Sequence, residues 1–465
     1  MSESRDWSVA EFGRVDLGDT RRTERLVAIG AAACERPCGK VAAVFLTDRE
    51  REGAYDFFES DHVEAKEIMA GISAATVTRS IGQPFVFVAV DGTSVTVVDH
   101  GHEHDFGCVG SDSNGARGAK VVDALAIDPN GVVIGWLGLT FWARSPKRKV
   151  PARSTHARQA RPVEEKETRY WLQTVKAASD ALDERNLRGW FQIDREGDGC
   201  DLLLALRDSG HFWTVRGNTD RSVEIEGGDV GRLRAQLAAG VVAGNYELEV
   251  TARPRRRART ARMVVRVAKV LLRLRDRRNS RITKLQVTTV WAREEGTTPP
   301  GEEPIDWLLH TNRDVETLED AKLVIYGYAQ RWRVEECHRT WKGGECDVES
   351  MQLRSFAALE RWATVLAAIA TRIERIKRLS RTQPATPATI EFTLIELRAL
   401  KMLKFGEERP DYEPTIAEAI SWLAEMGGYA NKYSGKPPGA TVLGRGLRHL
   451  RPAARLLAIQ LAAAK

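Results

Sequence analysis

The stretch "YAQRWRVEECHRTWK", Tyr328 to Lys342, decides how this sequence is read. It sets two glutamates among three arginines, a histidine, a lysine, a tyrosine, a cysteine and two tryptophans. At about 100° per residue of helix, Tyr328, Arg331, Glu335 and Lys342 fall within roughly 60° of one another on one stripe. Val334, Cys337 and Trp341 form a second stripe about 100° away. A surface i,i+4 ion pair would account for Arg331 and Glu335, at a few tenths of a kcal/mol. It leaves a tyrosine and a lysine on the same line unexplained. The spacing therefore predicts one helix that packs through Val334, Cys337 and Trp341. It presents a single carboxylate, Glu335, among three donors to anionic oxygen, while Glu336 is turned away and is structural.

A carboxylate in such company directs attention to other acids upstream. Asp91 follows "FVFVAV" and Asp194 follows "WFQI", so both are expected where strands end. Carboxylates at the ends of neighbouring strands can converge on a hard divalent cation, which prefers oxygen ligands. Taken singly, each aspartate is equally what opens a turn after a strand.

The chain has 465 residues, 43% hydrophobic and 29% charged, which allows two to four domains with real cores. No apolar run approaches 18 residues, and "MSESRDWSVAEFG" lacks the shape of a signal peptide, so a cytoplasmic chain with no membrane partner is expected. Six scattered cysteines argue against a zinc site at Cys34 and Cys38 and for reduced thiols. Net charge is +6, but "RPRRRARTARMVVRVAKVLLRLRDRRNSRITK" over 253–284 is crowded with arginine. Such a block fits contact with a polyanion, nucleic acid being the commonest, or a solvated basic hairpin.

Residues 1–70 read as short helices. "DTRRTERLVAIGAAAC" is capped by Asp19 or Thr20 and carries Arg21, Arg22 and Arg25 on its first turns, an arrangement suited to a phosphate backbone or to a solvated face. Alternating β-branched residues predict strands in "PFVFVAVDGTSVTVV" and on both sides of Pro129-Asn130-Gly131. A basic loop over 143–163, a helix over "PVEEKETRYWLQTVKAASDAL" and a strand over "RGWFQI" follow. Residues 205–300 read as a β-rich insertion carrying the arginine block. Helices return after "PIDWLLHTN", at 328–342, 356–377, 388–404 and 451–465. The class is α/β.

Tyr-x2-Arg-x3-Glu-x6-Lys is matched at every defined position by Tyr328, Arg331, Glu335 and Lys342. On that signature the chain resembles the insertion sequence four family of bacterial cut-and-paste transposases. Across nearly its whole length it resembles the branch represented by transposon Tn five. "LGDTRRTERLV", "EGAYDFF", "IDREGD", "PIDWLLHT" and "EMGGYANKYSG" fall in the matching order. The resemblance implies a DDE triad of Asp91, Asp194 and Glu335 on an RNase H-like core, binding two magnesium or manganese ions. It implies phosphate contacts from Tyr328, Arg331 and Lys342, a flipped base stacked on Trp307 at about 1–3 kcal/mol, and a basic Arg216 near the site. Arg21, Arg22 and Arg25 would contact the terminal inverted repeats. By the same resemblance, residues 1–70 form a helical DNA-end-binding domain, 71–375 the catalytic domain with its insertion, and 376–465 a helical dimerisation domain. A homodimer would cut the element from double-stranded DNA through a hairpin and join its 3′ ends to target DNA. Gly92 stands where relatives have a hydroxyl residue, and the 143–163 loop is longer and more basic. A decayed DNA nuclease and a non-catalytic end-binding repressor are the alternatives.

Overall fold

The computed structural model describes residues 7–99, 104–110, 115–144, 160–224, 228–254, 256–430 and 437–463. The expected loop at 143–163 lies outside them from 145 to 159, and "EMGGYANKYSG" does so from 431. The chain divides into two units: Met1–Gln83, Gly92–Lys147 and Arg333–Lys465 in one, Pro84–Asp91 and Arg148–Trp332 in the other.

The first unit opens with helices α1 (Trp7–Phe12), α2 (Thr20–Glu35), α3 (Val41–Val44), α4 (Asp48–Glu59) and α5 (Ala65–Ser80). Asp19 caps α2 by accepting from the Arg21 amide, and Thr47 with Glu50 forms a reciprocal capping box on α4. Strands β3 (Arg117–Ile127) and β4 (Val133–Trp142) make the expected hairpin, and β2 (Gly107–Cys108) pairs antiparallel with β3. The Asp128 carboxylate accepts from the amides of Asn130 and Val132, and Gly131 supplies a φ of 84°, which closes the turn. Helix α11 (Phe356–Thr382) is buried along most of its length. Its alanines let large rings approach the backbone: Trp136 and Trp341 donate to the carbonyls of Ala367 and Ala363 at 2.9 and 3.0 Å. The chain ends in α12 (Leu394–Phe405), α13 (Ile416–Met426) and α14 (Ala440–Ala463). The expected start at 388 gives a single 3-10 turn, and α12 begins later because Thr393 and Glu396 box its N-terminus.

In the second unit the first half of β1 (Val86–Val97) pairs parallel with β5 (Gly189–Ile193), and β5 pairs parallel with β6 (Phe212–Arg216). Helix α6 (Thr168–Asp183) precedes β5, and α7 (Cys200–Asp208) makes the crossover from β5 to β6 that a parallel pair requires. The ladder continues antiparallel through β12 (Asp306–Thr311), β11 (Ile282–Glu294) and β10 (Arg259–Arg275). Strands β9 (Val242–Val250) and β7 (Ser222–Glu224) pair with β10, β8 (Val230–Arg232) pairs with β7, and α8 (Leu233–Ala239) follows. Helix α9 (Leu318–Gln330) lies close over the strands. A Cβ at Gly327 would stand 2.6 Å from the Phe87 ring, so glycine is what permits that approach.

Three expectations need correction. The insertion does not begin at 205: β6 belongs beside β5 as a parallel strand, and α7 and α8 interrupt the β-rich stretch. Asp91 is not at a strand end, because β1 runs on to Val97 with Val95 and Val97 buried. Residues 328–342 are not one helix. Helix α9 stops at Gln330 and α10 (Trp332–Lys342) starts after Arg331, whose amide bonds to Tyr328 O at 3.1 Å and tightens that turn. Among the described residues no helix is long and apolar enough to cross a membrane, and all six cysteines are free.

Candidate active site

Parallel pairing of β1 with β5 sets the first two acids. The last registered pair is Val90 with Ile193, and the next residues are Asp91 and Asp194. Both are partly buried, above a fully buried layer of Val86 to Val90 and Trp190 to Ile193 that fixes the strands beneath them. Asp194 caps the short turn Arg195–Gly197, its carboxylate accepting from the Glu196 amide at 2.8 Å. Asp91 Oδ2 accepts from Arg331 Nη1 at 3.0 Å. With side chains 11% and 15% exposed, that ion pair is largely withdrawn from water. Arg331 was expected to hold phosphate; here its guanidinium answers the first acid of the expected triad.

Trp307, Tyr328 and Arg216 gather in the same unit. The Trp307 ring meets Tyr328 edge to face, centroids 5.7 Å apart at 70°. Tyr328 is only 3% exposed and backs Trp307, which is itself half-buried. Arg216, across the β6–β12 ladder at Leu309, donates to Asp306 O at 2.9 Å, and its Nε is buried without a partner. His310 on β12 bonds Thr289 Oγ1 through Nδ1 at 3.0 Å, and burial pulls its pKa down to about 4, so it stays neutral.

Glu335 stands half-buried in the first turn of α10, four residues after Arg331. The predicted packed face holds: Val334, Cys337 and Trp341 are fully buried. Glu336 is structural, as its angle indicated, accepting from Arg378 at 2.9–3.0 Å and from Arg333 at 3.0 Å. Lys342 lies 3.4 Å from Glu349, which also accepts from the Thr96 amide at 3.1 Å. Sequence reading missed Glu349, and it missed the buried pair of His338 with Asp123 at 2.6 Å. Their partners lie 253 and 215 residues away in the chain, and no local pattern marks either pair.

On α2, Arg21 and Arg25 are exposed, while Arg22 is half-buried and donates to Leu17 O at 2.9 Å. The Arg25 guanidinium lies against α4, where a Cβ at Gly53 would stand 2.4 Å from it. Among the described residues no three carboxylate, imidazole or thiol side chains gather as a metal-binding group. The donors present are nevertheless of the right kind: Asp91 and Asp194 offer hard oxygens at neighbouring strand positions, which suits magnesium or manganese.

Residues 4–63 match the family described as Transposase DNA-binding, and residues 168–372 match the one described as Transposase DDE domain. The first match contains Arg21, Arg22 and Arg25; the second contains Asp194, Arg216, Trp307, Tyr328, Arg331, Glu335 and Lys342; Asp91 lies in neither. Taken with a helical N-terminal region and a mixed α/β body, the two matches support placing the chain in a DDE transposase family, as a transposase that binds DNA.

Proposed function

We propose that this transposase is a cut-and-paste enzyme of the insertion sequence four family, built on an RNase H-like core, with Asp91, Asp194 and Glu335 as its catalytic acids. One observation carries the reading: Asp91 and Asp194 follow the last registered pair of adjacent parallel strands, in a chain whose residues 168–372 match a transposase DDE domain. Glu335 is the acid that the Tyr-x2-Arg-x3-Glu-x6-Lys spacing selects, since Glu336 is committed to Arg333 and Arg378.

These three carboxylates would hold two divalent ions. Bound there, the ions would supply the Lewis acidity that phosphoryl transfer between DNA oxygens requires. The chain's own groups do the rest. Arg331 keeps the Asp91 charge compensated and stands ready to turn to a phosphate. Lys342, held by Glu349, is a second cation for the backbone. Trp307 is braced by Tyr328, and its remaining ring surface is suited to a base flipped out for a hairpin. Arg216 stands one strand away. Residues 1–70 would grip the terminal inverted repeats through Arg21, Arg22 and Arg25, residues 71–375 would cut, and 376–465 would pair two copies in a synaptic dimer.

The test mixes protein, magnesium and a duplex carrying the element's ends with a target plasmid. Ends nicked but never joined would replace the transposase with a nuclease. Ends bound but never cut would leave a repressor.

A further inference from the structure

The arginine block over 253–284 is not used by the proposed active site, and the fold divides it in two. Its first part is internally neutralised: Arg259 bonds Glu294 at 2.7–2.9 Å and Arg266 bonds Glu295 at 3.0 Å. Its second part opens on a cavity of about 890 Å³ at the far end of the β10–β11 hairpin, within the second unit. Lys166, Arg221, Arg232, Arg273, Arg275 and Arg277 line that cavity.

The acids of the same cavity are already matched. Asp198 holds Arg221 at 2.9 Å, and Asp201 and Asp276 share Arg278 at 2.8 and 2.9 Å. Asp220 caps the Arg234 amide at 2.9 Å. Among the described residues no carboxylate lies within salt-bridge reach of Arg273, Arg275 or Arg277, while Leu272 and Leu274 between them are fully buried. Alternation along β10 therefore turns Arg273 and Arg275 outward on one face, about 7 Å apart at the rise of a strand, and Arg277 continues the row into the turn. That spacing is of the order of the separation between backbone phosphates.

We propose that this row, Arg273, Arg275 and Arg277 over the cavity floor of Arg221 and Arg232, is a second DNA site that takes the phosphate backbone of a duplex lying outside the inverted repeats. The site reads charge and not sequence, because guanidinium contacts to phosphate position a duplex without reporting its bases. This rests on the reading that the chain acts on DNA.

The experiment uses the full chain and a fluorescent 30-base-pair duplex of scrambled sequence, titrated between 50 and 200 mM salt. Each phosphate contact contributes about 0.9 to the slope of log K against log salt. The R273A/R275A/R277A variant is expected to lower that slope by about 2–3 and the affinity by at least tenfold. A control that removes three ion-paired cations elsewhere, K176A/K404A/R409A, is expected to leave the slope unchanged. A slope loss below one, or an equal loss in the control, overturns the site. Cys200 lines the cavity, so in the wild-type protein a saturating scrambled duplex should slow its alkylation several-fold; unchanged labelling also overturns the site. Magnesium-dependent cleavage is scored in parallel. Intact cleavage with an unchanged slope rejects this site alone, whereas absent cleavage with the expected slope loss rejects the catalytic reading alone.

Discussion

Separating Asp91 from Arg331 should cost far more than separating a surface ion pair. Their contact is 3.0 Å, and the two side chains are 15% and 11% exposed. Taking the charge centres about 4 Å apart, the attraction is about 1 kcal/mol in water and about 4 kcal/mol at the effective dielectric of a protein surface. A pair this sheltered sits between the two, nearer the second, at about 2–3 kcal/mol. The assay is a double-mutant cycle of urea unfolding with Asp91→Asn, Arg331→Gln and the double variant, each in EDTA. We expect a coupling energy of about 2–3 kcal/mol, and a smaller one in millimolar magnesium, since cation and guanidinium would compete for one carboxylate. A coupling below about 0.5 kcal/mol in EDTA would mean a solvated pair, and Arg331 would then have no claim on Asp91.

Further outcomes can be checked with simple measurements. Arg372 is buried between Glu391 and Glu396 at 3.0–3.2 Å, so Arg372→Met strands two buried carboxylates and should cost about 3–5 kcal/mol in chemical denaturation. Burial pushes the Glu360 carboxyl up to about 7 from an ordinary 4.5. A raised folded-state value means its contribution is complete below pH 4.5 and lost as pH rises through 7, by at most about 3 kcal/mol at 1.36 per unit. Glu360→Gln should flatten that part of the stability profile, and an unchanged profile would assign the slope to other groups. Trp307→Ala should impair hairpin formation more than first-strand nicking on a gel that resolves both; equal losses would make Trp307 a purely structural partner of Tyr328.

Local signals in the sequence were reliable where short-range chemistry decides the outcome. Asp19 caps α2, Asp128 and Gly131 turn the β3–β4 hairpin, and the stripe of Val334, Cys337 and Trp341 is buried. The misreadings share a cause, which is that a distant partner overrides a local cue. Asp91-Gly92 is a turn signal, yet the alternating "TSVTV" beyond it finds a place for Val95 and Val97 inside, so the strand continues. β6 read as part of the insertion because its parallel pairing with β5 depends on a crossover through α7 that no periodicity within β6 reveals. At Arg331 a single backbone bond to Tyr328 O splits what the angular stripe treated as one helix. The partner of Arg331 was equally hidden, because Asp91 lies 240 residues away. Tyr328 looked like a phosphate donor from its stripe, but its burial against Trp307 shows only once β12 is in place.

The central claim is that Asp91, Asp194 and Glu335 act together in DNA strand cleavage and joining. The most direct measurement compares wild type with Asp91→Asn, Asp194→Asn and Glu335→Gln for magnesium-dependent cleavage of end-bearing duplex and for its joining to a plasmid. End binding is read by gel shift on the same samples. The account predicts that each variant binds ends nearly as tightly as wild type, because each removes a carboxylate and no phosphate donor, and that none cuts or joins. A Glu335→Gln protein that cleaves at the wild-type rate would contradict it.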